Sequence, residues 1–284
     1  MRPTISLIGA GKVGYTLARL WFDSGYTIKA VYNRTLTKAQ TLAQYIDAQA
    51  VTTLIQAVAP ADLICLTVPD DTISPLAEQL ADFSWQGKAV IHASGAHSID
   101  VLQPLADAGA MVGSLHPAFP FADPESAYAT LVGAIIAIEA SDERLQVWLR
   151  GLVTALKGDV LVIPAGQKAR YHASLVIASN YMVTLYAVAQ GLLRDLGAEP
   201  QAVDNALLTL MQATLTNIAE QGIPTALTGP LTRADISTLQ AHLDALDDPN
   251  LRQAYIALAR LAYPMLAERG VDIPTIERLL QENS

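Results

Sequence analysis

Two rhythms of apolar residues run along this chain. Up to Pro164, short runs rich in β-branched residues recur: TISLIG, TIKAVYN, ADLICLTV, GKAVIHAS, GAMVGSL, LVGAIIAIEA and GDVLVI. Such near-continuous apolar runs mark strands buried on both faces. Amphipathic stretches lie between them, for example over 13–24, 36–47 and 98–108. Strands that alternate with helices predict a parallel sheet covered on both sides. Beyond Pro164 the strand signal ends, and the spacing predicts helices over 168–196, 200–221, 233–246 and 251–269, with a short last one from Pro274. Gly197, Gly222 and the Asp247-Asp248-Pro249 turn supply the stops. The expected architecture is an α/β domain over 1–164 followed by an all-helical domain over 165–284.

Composition narrows the class of partner. Hydrophobic residues make up 51% of the chain and charged ones 16%, enough to build cores. No apolar run of about 18 residues lacks polar interruption, so no membrane-spanning helix is expected. The start runs straight into a strand and a glycine turn, so no cleavable leader is expected either. Acidic residues outnumber basic ones for a net charge of −9. A nucleic acid drawn in by broad electrostatics would be repelled, and any phosphate must be held by local geometry. The one cysteine, Cys65, sits inside DLICLTV and reads as a small buried hydrophobe. That leaves no disulfide framework and no thiolate zinc site, and the cytoplasm is the expected compartment.

Local geometry for a phosphate is present at once. The first strand ends in Gly9-Ala10-Gly11-Lys12-Val13-Gly14, and a helix pattern begins there. In this strand-to-helix setting Gly9 allows the tight turn, Gly11 lets the backbone approach a pyrophosphate, and Gly14 lets helix and strand pack closely. The free N–H groups of the helix N-terminus, including those near Lys12 and Val13, then face the phosphates. This is a Rossmann-type dinucleotide site. About twenty residues on, where a carboxylate would bind the ribose of NAD, the sequence reads Asn33-Arg34-Thr35. Arg34 can pair with a 2′-phosphate and Thr35 can donate to it, so the expected cofactor is NADP(H). The turn Val68-Pro69-Asp70-Asp71 should border the nicotinamide-side ribose, with Asp71 also suited to cap the next helix.

Polar groups at two further strand ends suggest chemistry. KAVIHAS leads to Ser94-Gly95, and GAMVGSL leads to His116-Pro117. His116 is suited to move a proton near neutral pH, with Ser94 orienting it or the substrate. His92 falls inside a strand and reads as structural, and His97 as a surface residue. On the first helix after Pro164, Lys168, His172 and Ser179 share one face at 100° per residue, with Asn180 at its edge. That polar face predicts a lined cleft with Lys168 at its mouth, as proton donor or carboxylate anchor. Thr232 and Asp235 resemble a capping box, which leaves Arg233 over.

The motifs IGAGKVG, YNRT and TVPDD resemble the cofactor domains of pyrroline-5-carboxylate reductase and of deazaflavin-dependent NADP reductases. LHPAFPF, QKARYHASLVIASNY and ALTGPLTRADISTL are similar to a family that joins a Rossmann-like domain to the helical domain of unknown function 2520, related to 6-phosphogluconate-dehydrogenase-like C-terminal domains. The resemblance spans essentially the whole chain and implies an NADP-dependent oxidoreductase that dimerises through its C-terminal helices. Prephenate dehydrogenases, which are more distantly similar, imply a catalytic role for His116 with Ser94. Hydroxyacid dehydrogenases imply one for Lys168, although His172 stands where they carry Asn. The expected activity is hydride transfer to or from a small carbonyl, hydroxy or imine substrate, with His116, Ser94, Lys168 and His172 as candidates. A non-catalytic NADP(H)-binding redox sensor is the alternative.

Overall fold

The computed structural model describes residues 2–284. It divides into two compact units, one ending at Val183 and the other running from Thr184 to Ser284. The division falls inside a helix, Tyr181–Asp195, rather than at the expected 164.

The first unit is built on one eight-stranded sheet. Its strands are β1 (Ile5–Ile8), β2 (Ile28–Tyr32), β3 (Gln49–Val51), β4 (Leu63–Leu66), β5 (Ala89–His92), β6 (Met111–Pro117), β7 (Ile135–Ala140) and β8 (Asp159–Val162), in the order β3-β2-β1-β4-β5-β6-β7-β8. The short edge strand β3 carries too few residues to show a pattern, and the apolar rhythm did not mark it. The first six strands are mutually parallel, and β7 pairs antiparallel with β6. The sheet is thus mostly rather than wholly parallel, with β7 and β8 reversed.

Helices α1 (Lys12–Asp23), α2 (Leu36–Tyr45), α3 (Leu54–Val58), α4 (Asp70–Leu80), α5 (Gln103–Asp107), α6 (Pro124–Thr130) and α7 (Glu143–Ala155) join these strands. Strand alternation assigns their sides. Ile5, Leu7, Cys65, Ile91 and Leu115 pack with Leu17 and Trp21 of α1, Leu42 of α2 and Leu149 of α7. Ile8, Ile64, Leu66, Val90 and Val112 pack on the other side with Val58 of α3, Ile73 of α4 and Leu105 of α5. Burying the Cys65 thiol pushes it up to about 12, which makes it the inert hydrophobe expected.

After β8 the chain enters α8 (Lys168–Leu175), a π turn over Val176–Asn180, and α9 (Tyr181–Asp195). The wider turn interrupts the α-helical register, so the 100° arithmetic that put Ser179 and Asn180 beside Lys168 does not carry through it. The whole stretch Lys168–Asp195 is long and apolar enough, by length and composition, to cross a membrane, contrary to the expectation that none would be. Its first turns nevertheless pack on the sheet: Tyr171 joins Ala137 and Ile163 in a buried cluster, with Leu175 against it.

The second unit contains α10 (Pro200–Gln221), α11 (Ile236–Ala245), α12 (Pro249–Leu261), α13 (Tyr263–Glu268) and α14 (Ile273–Glu282). Leu239, Leu243, Ile256, Leu266, Ile276 and Leu280 form its core. Asp235, rather than Thr232, caps α11 by accepting from the Thr238 N–H. The Thr232 hydroxyl is turned back on the Gly229 carbonyl, so the helix begins at Ile236 instead of 233. Arg233 lies exposed at the end of the preceding 3₁₀ turn. Little of α10 is buried beyond Val203 and Leu207, and it leaves Leu208, Leu210, Leu215 and Ile218 exposed.

Candidate active site

The carboxyl ends of β1, β4, β5 and β6 open on one edge of the sheet, spanning three strand spacings, or roughly 14 Å. The glycine turn stands at one end of this row and His116 at the other.

At the glycine turn the two outer glycines are required by their surroundings. A Cβ on Gly9, whose φ is +114°, would fall 2.3 Å from the Thr67 carbonyl oxygen, and one on Gly14 would fall 2.4 Å from Thr67 Oγ1. Thr67 Oγ1 donates to the Gly9 carbonyl at 2.7 Å, which locks β4 to the turn. Asn33 Oδ1 accepts from the Ala10 N–H at 3.0 Å, and its amide donates to the Thr35 carbonyl. Gly11 differs from its neighbours: a Cβ there meets nothing within 4 Å. No side chain caps the N-terminus of α1, and no acidic residue stands in its first turn.

A cavity of about 390 Å³ opens beside this turn. Of the residues expected at the cofactor, Gly9, Gly11, Asn33, Arg34, Thr35, Val68 and Pro69 line it, while Lys12, Val13, Gly14 and Asp70 do not. Lys12 Nζ instead donates to the Ala122 carbonyl at 2.6 Å. Asp70 and Asp71 occupy the first turn of α4 with Pro69 at the N-cap, so Asp71 interacts with the helix dipole rather than capping. Lys38, in the first turn of α2, also lines the cavity. The lining holds two cations and no carboxylate, which fits a phosphorylated ribose.

At the other end, side chains build the site. Alternation along β5 and β6 puts His92, Ser114 and His116 on one face of the sheet, and α8 covers that face at β6 and β7. Lys168 is 2% exposed, not at an open mouth. Its Nζ donates to Ser114 Oγ at 2.7 Å and to Glu139 Oε2 at 2.9 Å. Ser114 Oγ in turn donates to the same Glu139 oxygen at 2.7 Å. Burial draws the Lys168 ammonium below its ordinary range, against the opposing pull of Glu139. The closed triangle occupies the lysine, and corrects the reading of it as a free donor or anchor.

One turn further along α8, Tyr171 reaches His116. Its hydroxyl lies 2.8 Å from His116 Nδ1 and donates to the His116 carbonyl at 3.3 Å. Desolvation, then the Lys168 ammonium and His172, pull His116 down to about 4. The His172 ring stands across it, with centroids 6.3 Å apart. Both rings crowd Gly95, where a Cβ would lie 2.6 Å from His116 Nε2 and 2.8 Å from His172 Cδ2. Ser94 Oγ accepts from the N–H groups of Ala96 and His97 and so folds the turn after β5. Tyr171, rather than Ser94, is therefore the partner of His116. His92 is structural, as read: its Nδ1 accepts from the Ser94 N–H and its Nε2 faces the Ser98 carbonyl at 3.2 Å. His97 is half-buried rather than at the surface.

Sequence reasoning missed Lys38, Glu139 and Tyr171. Glu139 carried a signal, as a lone carboxylate inside the apolar run IIAIEA. Tyr171 lies three positions beyond Lys168 and thus on the same helical face.

Residues 1–117 match a Rossmann-like domain model, and residues 134–262 match the domain of unknown function DUF2520. No curated protein matches the sequence. Among solved structures, a Bacteroides fragilis protein provisionally described as an NADP oxidoreductase is 25% identical, with a TM-score of 0.70 over 91% of this chain and 97% of its own. A Thermotoga maritima protein is 24% identical, with a TM-score of 0.74 over 93% and 98%. An imine reductase from Myxococcus stipitatus, solved with NADP+, shares the fold at 20% identity, with a TM-score of 0.63 over 98% and 100%.

Proposed function

We propose that this chain, a Rossmann-like domain followed by a DUF2520 domain, is an NADP(H)-dependent oxidoreductase acting on a small carbonyl, hydroxy or imine substrate. The observation that carries the reading is the cavity at the glycine turn, where Arg34, Thr35 and Lys38 stand at the end of β2 with no carboxylate among the lining residues. Open space at Gly11 and the uncapped N-terminus of α1 suit the pyrophosphate. Arg34 and Lys38 suit the 2′-phosphate. The provisional description of the B. fragilis protein agrees with this reading.

When bound, the nicotinamide gives or takes the hydride. His116 Nε2 is the atom through which a proton passes between substrate and chain, with His172 beside it and Ser94 shaping the turn. Lys168 acts from beneath through its charge. The apolar residues exposed on α9 and α10, among them Leu185, Leu192, Leu210 and Leu215, support a homodimer through the helical unit.

The test combines binding with turnover. Calorimetry should show tighter binding of NADPH than of NADH, and a panel of small carbonyls, imines, alcohols and amines should contain members that drive cofactor turnover. His116→Asn should cut that turnover by about a hundredfold while NADPH still binds. Equal affinity for the two cofactors would remove the cofactor assignment, and a silent panel would remove the enzymatic one.

A further inference from the structure

The contacts of Tyr171 fix more than the position of His116. A phenol has one proton to give, and here the oxygen meets two groups of the same residue, Nδ1 at 2.8 Å and the backbone carbonyl at 3.3 Å. The carbonyl can only accept. Both contacts are hydrogen bonds at once only if the phenol donates to the carbonyl while Nδ1–H donates to the phenol. If the phenol donated to Nδ1 instead, the two oxygens would face each other without a proton between them. The arrangement therefore selects the tautomer with hydrogen on Nδ1.

Nε2 is then left as a bare acceptor. Its edge lies against Gly95, whose missing side chain leaves the ring room to stand there. Among the described residues, no hydrogen bond is directed at this nitrogen. Burial, then the locked Lys168 ammonium and the neighbouring His172, disfavours a second proton on the ring. Lys168, the buried cation at this end of the edge, is not free to greet a carboxylate, because it is closed in its triangle with Ser114 and Glu139.

Building on the oxidoreductase reading, we propose that Tyr171 is a positioning residue that holds His116 as its Nδ1–H tautomer, so that Nε2 recognises a substrate bearing an N–H or O–H on its reacting atom: an alcohol, an amine or a protonated imine. A ketone oxygen or an unprotonated imine nitrogen meets a lone pair there and is disfavoured. The chain's negative balance, −9 overall, is compatible with a cationic substrate.

Nitrogen-detected NMR of the whole chain reads the tautomer without any turnover, with the His116 signals identified by their loss in His116→Asn. The expected result near neutral pH is a protonated Nδ1 and an unprotonated Nε2 in the wild type, and a mixture of tautomers in Tyr171→Phe. An Nε2–H tautomer in the wild type, or an unchanged one in the variant, would overturn the role of Tyr171. For the substrate half, iminium ions that carry an N–H should be turned over at least tenfold faster than fully N-alkylated ones of similar size. Equal rates would overturn it. An inactive chain with the Nδ1–H tautomer would count against the oxidoreductase reading alone, and an active chain with the Nε2–H tautomer would count against this one alone.

Discussion

The two ends of the carboxyl edge are built by opposite means. At β1, β2 and β4 the site is mostly backbone: glycines that tolerate no Cβ, an Asn33 amide that ties two loops, and a helix N-terminus left open. At β5, β6 and α8 it is made of side chains, with Lys168, Glu139 and Ser114 closed on one another and Tyr171 set on His116. The first end is an open cavity lined by two cations and no carboxylate. The second has its charges paired and its imidazole kept neutral. A backbone site tolerates the loss of one contacting side chain, whereas a buried polar cluster depends on every member.

The largest expected effect falls on the cluster. Lys168→Met leaves Glu139 buried without its cation and should cost about 3–5 kcal/mol of stability, read by urea denaturation. Adding Glu139→Leu should recover most of that loss. If the double variant is no more stable than the single one, the pair is not the source of the cost.

Acid should act on the same end. His116 and His92 are held near 4 and near 3, below the ordinary 6.5, mainly by desolvation. Below pH 6.5 the unfolded chain therefore binds protons that the folded chain refuses, and stability falls with pH until the folded values are crossed. At pH 5 the two together amount to at most roughly 4 kcal/mol. Calorimetric melting between pH 7 and pH 5, a range above most carboxylate titration, should show a steady decline. A flat profile there would mean that these imidazoles are not held neutral.

The smallest effect belongs to the exposed end. Arg34→Ala should weaken NADPH binding by about tenfold or more, roughly 1.5–3 kcal/mol, leave NADH binding unchanged and barely alter the melting temperature. Equal losses for both cofactors would show that Arg34 does not read the 2′-phosphate.

This contrast also explains what the sequence made legible. The glycine turn is local: its six residues are contiguous, and β2 delivers Asn33 and Arg34 at a fixed distance along the chain, so the motif could be read directly. The His116 cluster joins residues far apart, with Tyr171 55 positions from His116 and Lys168 29 from Glu139. Helical spacing placed Lys168 and His172 on one face but could not say that the face met a buried carboxylate. The reversal of β7 was hidden for a related reason. The connection from Pro117 to Ile135 contains the short α6 and is long enough to return the chain in either direction.

Because the first compact unit runs on to Val183 and does not stop at the end of the last strand, the sheet and α8 belong to one body. A fragment stopped at residue 164 would keep the entire glycine motif and every residue lining its cavity. It would also strip α8 from the sheet, leaving Glu139 and Ser114 without the ammonium they enclose and baring the apolar bed of Tyr171 beside Ala137 and Ile163. Transplanting the cofactor-binding portion into another protein therefore means carrying the chain through the π turn, whose upstream helix serves the sheet even though its sequence reads as the opening of the helical half.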